Sequence, residues 1–347
     1  MDSEVFFIKN NSNDGKKLRR EWRRAGRRYF FGFVLRFLVF LVLLLAVLLD
    51  RMFVGPSSAV SSMLTMSLLE SSALKFVPYL YLPEHEVDRI VDSAKVKEVF
   101  EETDTSLIIF PEAIEEAAED KDLEIIKVSG PTYKGQVMII RDPSRVFLGV
   151  TNNIHQRGMY ITELAEKYDA IAAINASGFS DAGGMSDGRD PLGMVISEGQ
   201  LLSKGDKRYT TAAFDNNNIL HVGVFTAEDV ETLGLRDAAA WGPALIQNGI
   251  PMEVSESTGL NPRTAIGQRS DGAVLFVVLD GRYPSSLGAT YSDIISVMSE
   301  YGAVNACNLD GGFSSVLLYE GERISDVASI DNIRRIPTAF MVRRLPE

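Results

Sequence analysis

Asn308-Leu309-Asp310-Gly311-Gly312-Phe313-Ser314-Ser315 is the stretch on which the fold turns. A helix-like segment, Tyr291 to Tyr301, and a short apolar turn ending in Cys307 lead into it, and Val316-Leu317-Leu318-Tyr319 follows with the look of a strand. Asn and Asp are thus presented where one element gives way to the next. The glycine pair permits positive φ and close approach of a ligand, and Ser314 and Ser315 add hydroxyls. The same pattern also describes an ordinary Asx turn entering a strand.

Upstream, the texture from Leu123 onward is one of short apolar runs separated by turn residues. Leu123–Val128 and Gly135–Ile140 read as paired strands around Gly130-Pro131. Val146–Val150, Ala170–Ile174, Gly193–Ile196, Leu201-Leu202, Thr211–Phe214, Ile219–Val224, Gly272–Leu279 and Thr338–Val342 continue the series, with Tyr160–Tyr168 helical. Many short strands and few helices predict an α+β fold with a mixed, largely antiparallel β-sheet and flanking helices.

The N-terminal third differs. Ten Lys/Arg against four acids fall within residues 1 to 36, although the whole chain of 347 residues carries −12, which leaves about −18 for the remainder. An apolar run from Tyr29 to Leu49, broken only by Gly32 and Arg36, is long enough to span a bilayer core as a helix. The basic flank precedes it, so the N-terminus is expected in the cytoplasm and everything after Asp50 outside. An uncleaved signal anchor is favoured over a cleaved signal peptide, for which Ser57-Ser58-Ala59 is a weak cleavage site. The expected organisation is a basic cytoplasmic segment over 1–28, a transmembrane anchor over 29–49, a stalk and helical membrane-proximal region over 50–122, and the main domain over 123–347. Within the stalk, Gly55–Ser72 is partly helical, Glu84–Glu102 has helical periodicity, and Pro111–Lys121 is a short acidic helix. The apolar Ala73–Pro83 either packs on the domain or lies at the membrane surface.

The one cysteine, Cys307, excludes an intrachain disulfide and reads as a buried thiol, which fits a bacterial envelope better than an animal secretory protein. His85, His155 and His221 are scattered, which argues against a zinc site. No cofactor is expected. Carboxylates near Asp181, Asp187 and Asp310 leave room for a Ca²⁺ ion. The acidic outer portion disfavours nucleic acid as a partner. No protein partner is legible.

Four polar, glycine-containing turns recur beside buried elements: Asn175–Phe179, Arg263–Gly267, Asp280-Gly281-Arg282 and Asn308–Ser315. Brought together they supply two carboxylates, two guanidinium groups and two amides to one cleft. Guanidinium pairs suit phosphate, and carboxylates suit glycosidic chemistry.

Ile174-Asn175-Ala176-Ser177-Gly178-Phe179, Pro262-Arg263-Thr264-Ala265-Ile266-Gly267, Leu279-Asp280-Gly281-Arg282 and Asn308-Leu309-Asp310-Gly311-Gly312 occur in the order seen in the phosphodiester glycosidase family, which the chain resembles from about Leu123 to its end. Asp187–Gly193, Gly242–Leu245 with Asn248-Gly249, and Arg335–Phe340 extend the resemblance. Bacterial members of that family are associated with exopolysaccharide biosynthesis. The resemblance implies hydrolysis of a sugar-1-phosphodiester at the anomeric carbon, on a phosphate-linked glycan or glycolipid of the cell envelope. It implies catalytic roles for Asp310, as base or nucleophile, and Asp280, as its partner or as an orienter of Arg282. It implies substrate contacts from Asn175, Gly178, Arg263, Thr264, Arg282, Asn308, Gly311, Gly312 and Ser314. Two departures stand out. Phe313 replaces the family's usual third glycine, and Asn175-Ala176-Ser177-Gly178-Phe179 replaces Asn-Gly-Gly-Phe. They support an alternative, a non-catalytic glycan-binding or scaffold protein on the same fold.

Overall fold

A computed structural model describes residues 12–71, 74–98, 101–110, 123–180, 187–205, 207–254, 258–326 and 334–345. Two compact units divide between Pro56 and Ser57. The first is built on α1 (Ser12–Val54), a continuous helix whose Tyr29–Val54 portion is long and apolar enough to cross a membrane and buries none of its most apolar window.

The second unit opens with α2 (Ser58–Leu69), α3 (Pro78–Tyr81) and α4 (Glu84–Ser93), which pack on one another. Its other helices are α5 (Ile161–Lys167), α6 (Asp229–Thr232) and α7 (Tyr291–Glu300). In chain order its strands are β1 (Leu123–Ser129), β2 (Lys134–Ile140), β3 (Val146–Val150), β4 (Ala170–Asn175), β5 (Val195–Ser197), β6 (Gln200–Ser203), β7 (Thr211–Asp215), β8 (Leu220–Gly223), β9 (Leu235–Ala240), β10 (Ala244–Gln247), β11 (Ile250–Pro251), β12 (Arg263–Arg269), β13 (Val274–Leu279), β14 (Ala303–Asn308), β15 (Leu317–Tyr319), β16 (Glu322–Arg323) and β17 (Thr338–Arg343).

They form three sheets, ordered β1-β2-β13-β12-β14-β10-β11, β16-β15-β4-β17-β3 and β6-β5-β9-β7-β8. Every neighbouring pair among them is antiparallel, in keeping with the largely antiparallel α+β fold expected.

The two-residue period of a strand explains how one sequence serves two cores. Along β13, Val274, Phe276 and Val278 face a central core shared with Leu148, Ile174, Phe214 and Phe340 from the other sheets. Their alternates Leu275, Val277 and Leu279 face a second core closed by Ile294, Val297 and Met298 of α7. Both faces are buried, so β13 reads as one unbroken apolar run. On the second sheet, Ile161 and Leu164 of α5 cover Ala173 and Met341.

Several expectations need correction. Glu84–Glu102 does not continue as a helix past Ser93: Lys97 donates its N–H to Glu253 O, and Glu98 Oε1 accepts from Ala244 N at 2.7 Å. Those long-range bonds draw the segment out although its apolar spacing favours a helix. The apolar turn before Asn308 is instead β14, hydrogen-bonded on both sides inside the seven-stranded sheet. Arg263–Gly267 is not a turn either: it is most of β12, with Thr264 opposite Val278. The acidic stretch Pro111–Lys121 and most of the Asp181–Gly188 loop lie outside the described residues.

Helix α7 begins where the sequence says it must. Thr290 Oγ1 accepts from Asp293 N at 3.1 Å, and Asp293 Oδ2 accepts from Thr290 N at 2.8 Å, a reciprocal capping box. Thr290→Ala is expected to cost about 1 kcal/mol and to lower the thermal midpoint by roughly 2–4 °C, measured by calorimetry on the full chain in detergent.

Candidate active site

The turn Asn308–Ser315 lies where the first and second sheets meet, and buried polar contacts hold it there. Asn175, the last residue of β4, is fully buried. Its Nδ2 donates to the Asp310 carbonyl, while its Oδ1 accepts from Thr264 Oγ1 at 2.9 Å and Val316 N at 3.1 Å. Asp310 N in turn donates to Ala176 O at 3.0 Å. Asn308 Nδ2 donates to Gly242 O and Leu309 O. Both asparagines therefore donate to backbone carbonyls of the turn that presents Asp310, and Asn175 also ties it to Thr264 of β12 and Asn308 to Gly242.

The glycines act by clearance. A Cβ on Gly178 would fall 1.7 Å from the Trp241 ring, so Gly178 lets the indole pack against its backbone. Gly312 has φ +63°, and its Cβ would lie 3.3 Å from an Arg282 guanidinium nitrogen. A Cβ on Gly311 would meet Pro262 O at 2.9 Å.

Beside this turn lies a cavity of about 310 Å³ whose wall includes Asp310, Asn308, Gly311, Gly312, Phe313, Arg263 and Arg282. It also includes residues that the motifs did not flag: Glu70, Lys75, Trp241, Tyr291 and Arg334. Trp241 sat next to a quoted motif, and Arg334 just before one. Glu70 gave no signal, because it arrives from the stalk about 190 residues away in sequence.

Cations dominate the wall. Arg263 emerges from the start of β12, buried, with its guanidinium 4.0 Å from the Tyr291 ring centroid. It donates to Ala289 O and Gly259 O and pairs with Glu70 Oε2 at 3.1 Å. Burial is the largest influence on Arg263 and would pull it down, but the Glu70 carboxylate and the Tyr291 hydroxyl together hold the guanidinium above its ordinary value. Arg282 stacks on Phe313 at 4.4 Å and donates to Asn261 Oδ1 and to the Glu70 carbonyl. Burial, and after it the charges of Arg263 and Arg334, lower Arg282 against the opposing pull of Glu70. Asn261 Nδ2 donates to Glu70 Oε2 at 2.6 Å. One carboxylate from the stalk thus sits among the guanidiniums. Burial pushes Tyr291 up to about 12, so the phenol keeps its proton.

Asp280 is elsewhere. It is buried and is absent from the cavity wall; its Oδ1 accepts from Asp326 N at 3.0 Å and its backbone carbonyl accepts from Ser286 Oγ. It makes no ion pair with Arg282 among the described contacts. Its position fits a tie between the end of β13 and the loop at Asp326. Thr264 and Ser314 are likewise buried, Thr264 bonded to Asn175; Oγ of Ser314 and Oδ1 of Asn308 are buried without a hydrogen-bond partner among the described residues. Cys307 is buried, and burial raises its thiol far from reactivity. Asp187 is paired with Arg189 at 2.9 Å, Asp181 lies outside the described residues, and the described residues hold no cluster of three metal-ligating side chains.

The family model described as phosphodiester glycosidase matches residues 168–343, just over half of the chain. The SPbeta prophage-derived uncharacterized protein YomE of Bacillus subtilis is 32% identical over 206 residues, 56% of this chain; the match spans 30% of YomE's own length. Among solved structures, the zebrafish N-acetylglucosamine-1-phosphodiester alpha-N-acetylglucosaminidase catalytic domain, auto-inhibited by pro-peptide, shares the fold at a TM-score of 0.55 and 18% identity, over 66% of this chain and 85% of that one.

Asp280 makes stability depend on pH. Burial, followed by the Asp326 charge, raises its carboxyl to about 7, against about 3.9 in an unfolded chain. The folded state then binds the extra proton between these values, so this group's contribution to stability is fully present below pH 4 and is lost as pH rises toward 7, by about 4 kcal/mol. Asp280→Asn keeps an acceptor for Asp326 N–H and carries no charge. Its thermal midpoint is expected to exceed the wild type's by a margin that widens from pH 4.5 to pH 8 in parallel calorimetric scans.

Proposed function

Because the chain belongs to the phosphodiester glycosidase family, we propose that it hydrolyses a sugar-1-phosphodiester, with the 310 Å³ cavity as its active site. The observation that carries this reading is the convergence of Arg263, Arg282 and Arg334 with Asp310 on one wall. Guanidinium groups suit bidentate contact with phosphate oxygens, and burial strengthens them. In the reaction the bond between the anomeric carbon and the phosphate oxygen breaks, and its electron pair leaves with the phosphate monoester. The arginines meet that departing charge. Asp310 either takes the proton from an attacking water or attacks the anomeric carbon itself. Asn308 belongs to the same wall, and its buried Oδ1 is an acceptor without a hydrogen-bond partner among the described residues. Asn175 and Thr264 act as positioning residues behind Asp310.

The substrate we favour is a phosphate-linked glycan or glycolipid of a cell envelope. In this reading the helix over Tyr29–Val54 is the anchor, the basic residues before it stay in the cytoplasm, and the domain from Leu123 onward works outside. No cofactor is needed for this chemistry.

Glu70 adds a resting state. Its carboxylate, paired with Arg263 and bonded to Asn261, occupies the ground that a substrate phosphate would claim, much as a tethered anion would.

Two outcomes test the reading. Asp310→Asn is expected to lower turnover of p-nitrophenyl sugar-1-phosphodiesters by at least about a thousandfold with the thermal midpoint preserved, and retention of full activity would sink the assignment. Glu70→Ala is expected to tighten binding of inorganic phosphate by about tenfold in titration calorimetry, equivalent to about 1.4 kcal/mol. Weaker phosphate binding in that variant would mean that Glu70 orders Arg263 and does not block it.

A further inference from the structure

Residues 74–80 leave an apolar surface uncovered beside the cavity. Leu74 is 43% exposed, Phe76 59%, Tyr79 49% and Leu80 69%. Four large apolar side chains within seven residues make a patch of the kind that marks an interaction surface. The patch has a fixed backbone. Val77 N donates to Leu74 O, Leu80 N to Val77 O and Leu82 N to Pro78 O, and Pro78 is buried where α3 packs on α2 and α4.

Three observations say what covers it. Lys75, between Leu74 and Phe76, is the only charged residue from Ala73 to Pro83. A cation among aromatic and aliphatic side chains is the composition found at membrane–water interfaces, where the ammonium reaches the headgroups and the rings enter the acyl boundary. Next, Leu74 follows Val54, the end of the apolar helix, by only 20 residues, of which α2 takes up 12. At about 1.5 Å per helical residue and at most about 3.6 Å per extended one, the patch lies within about 50 Å of chain from that helix end, however the two units are oriented. Finally, Lys75 also forms part of the cavity wall, with Leu69 and Glu70 from the same segment.

We propose that Leu74–Leu80 docks into the lipid bilayer interface next to the chain's own anchor and holds the cavity rim at the headgroup level. Resting on the glycosidase reading above, this makes the preferred substrate a sugar phosphodiester carried by a membrane lipid. Such a substrate reaches the arginine cluster by lateral diffusion, and Lys75 meets its anionic group at the rim.

Spin-label accessibility on the full chain, reconstituted in phosphatidylcholine–phosphatidylglycerol vesicles, tests the docking. Cys307 is fully buried, so a label reports from Leu80→Cys, with Ile250→Cys, at a site 63% exposed on β11, as the water-facing control. Collisions with oxygen relative to a water-soluble nickel chelate are expected to be several-fold higher at residue 80 than at residue 250. Equal ratios at the two sites overturn the proposal. A residue 80 shielded from both reagents also overturns it, in favour of a protein partner or a second copy. On the same vesicles, Phe76→Ser with Leu80→Ser is expected to slow cleavage of a lipid-borne sugar phosphodiester several-fold while cleavage of a soluble one is unchanged. Equal rates on the lipid-borne substrate would overturn the substrate preference. Absence of turnover on both substrates would instead sink the glycosidase reading, with the label result standing by itself.

Discussion

One buried amide holds the two sheets in register at the site. Asn175 ends β4 in the second sheet, and its side chain reaches across to Thr264 on β12 of the first, to the carbonyl of Asp310 and to the N–H of Val316. Each of these groups is costly to leave unpaired away from water, so the asparagine is tied to all three at once. Apolar packing alone tolerates small slides between layers. An amide bonded through both its nitrogen and its oxygen does not, because its donors and acceptor have fixed directions. The position of Asp310 therefore depends on a residue that has no need to touch substrate.

Charge is the second constraint. Arg263 and Arg282 are both buried deeply enough for desolvation to be the largest influence on them, and Arg282 also feels the charges of Arg263 and Arg334. Such a group needs an anion close by. In this structure Glu70 meets that need for Arg263, with Asn261 sharing the same carboxylate oxygen. The stalk is thus joined to the site through its charge, and α2 through α4 belong with the domain they precede.

The residues flanking the site were legible to very different degrees. Long apolar runs such as β13, and the capped start of α7, announce themselves because period and capping are local properties. β14 did not. Its sequence, Ala-Val-Asn-Ala-Cys-Asn, has small and polar residues where strands usually carry branched ones. It is a strand because β12 and β10 flank it and satisfy its backbone on both sides. β12 was hidden for a related reason, since an arginine and a threonine at its start resemble a turn until their partners are known. Among the motif residues, Gly178 and Gly312 stand out in the sequence, and the structure adds that they make room for Trp241 and Arg282. Asp280 has the motif of a catalytic acid, while its carboxylate is engaged with the loop at Asp326.

The sequence by itself determined the broad fold class, the apolar N-terminal helix, the family and the turn that carries Asp310, since all of these rest on local patterns of residue type. The tertiary structure decided which of those residues share a cavity, and it added Glu70, Trp241 and Arg334 to them. The physical reason is range. Period, capping and glycine turns act over a few residues, whereas the pairing of a buried guanidinium with a carboxylate about 190 positions away exists only once three sheets and a stalk have packed together.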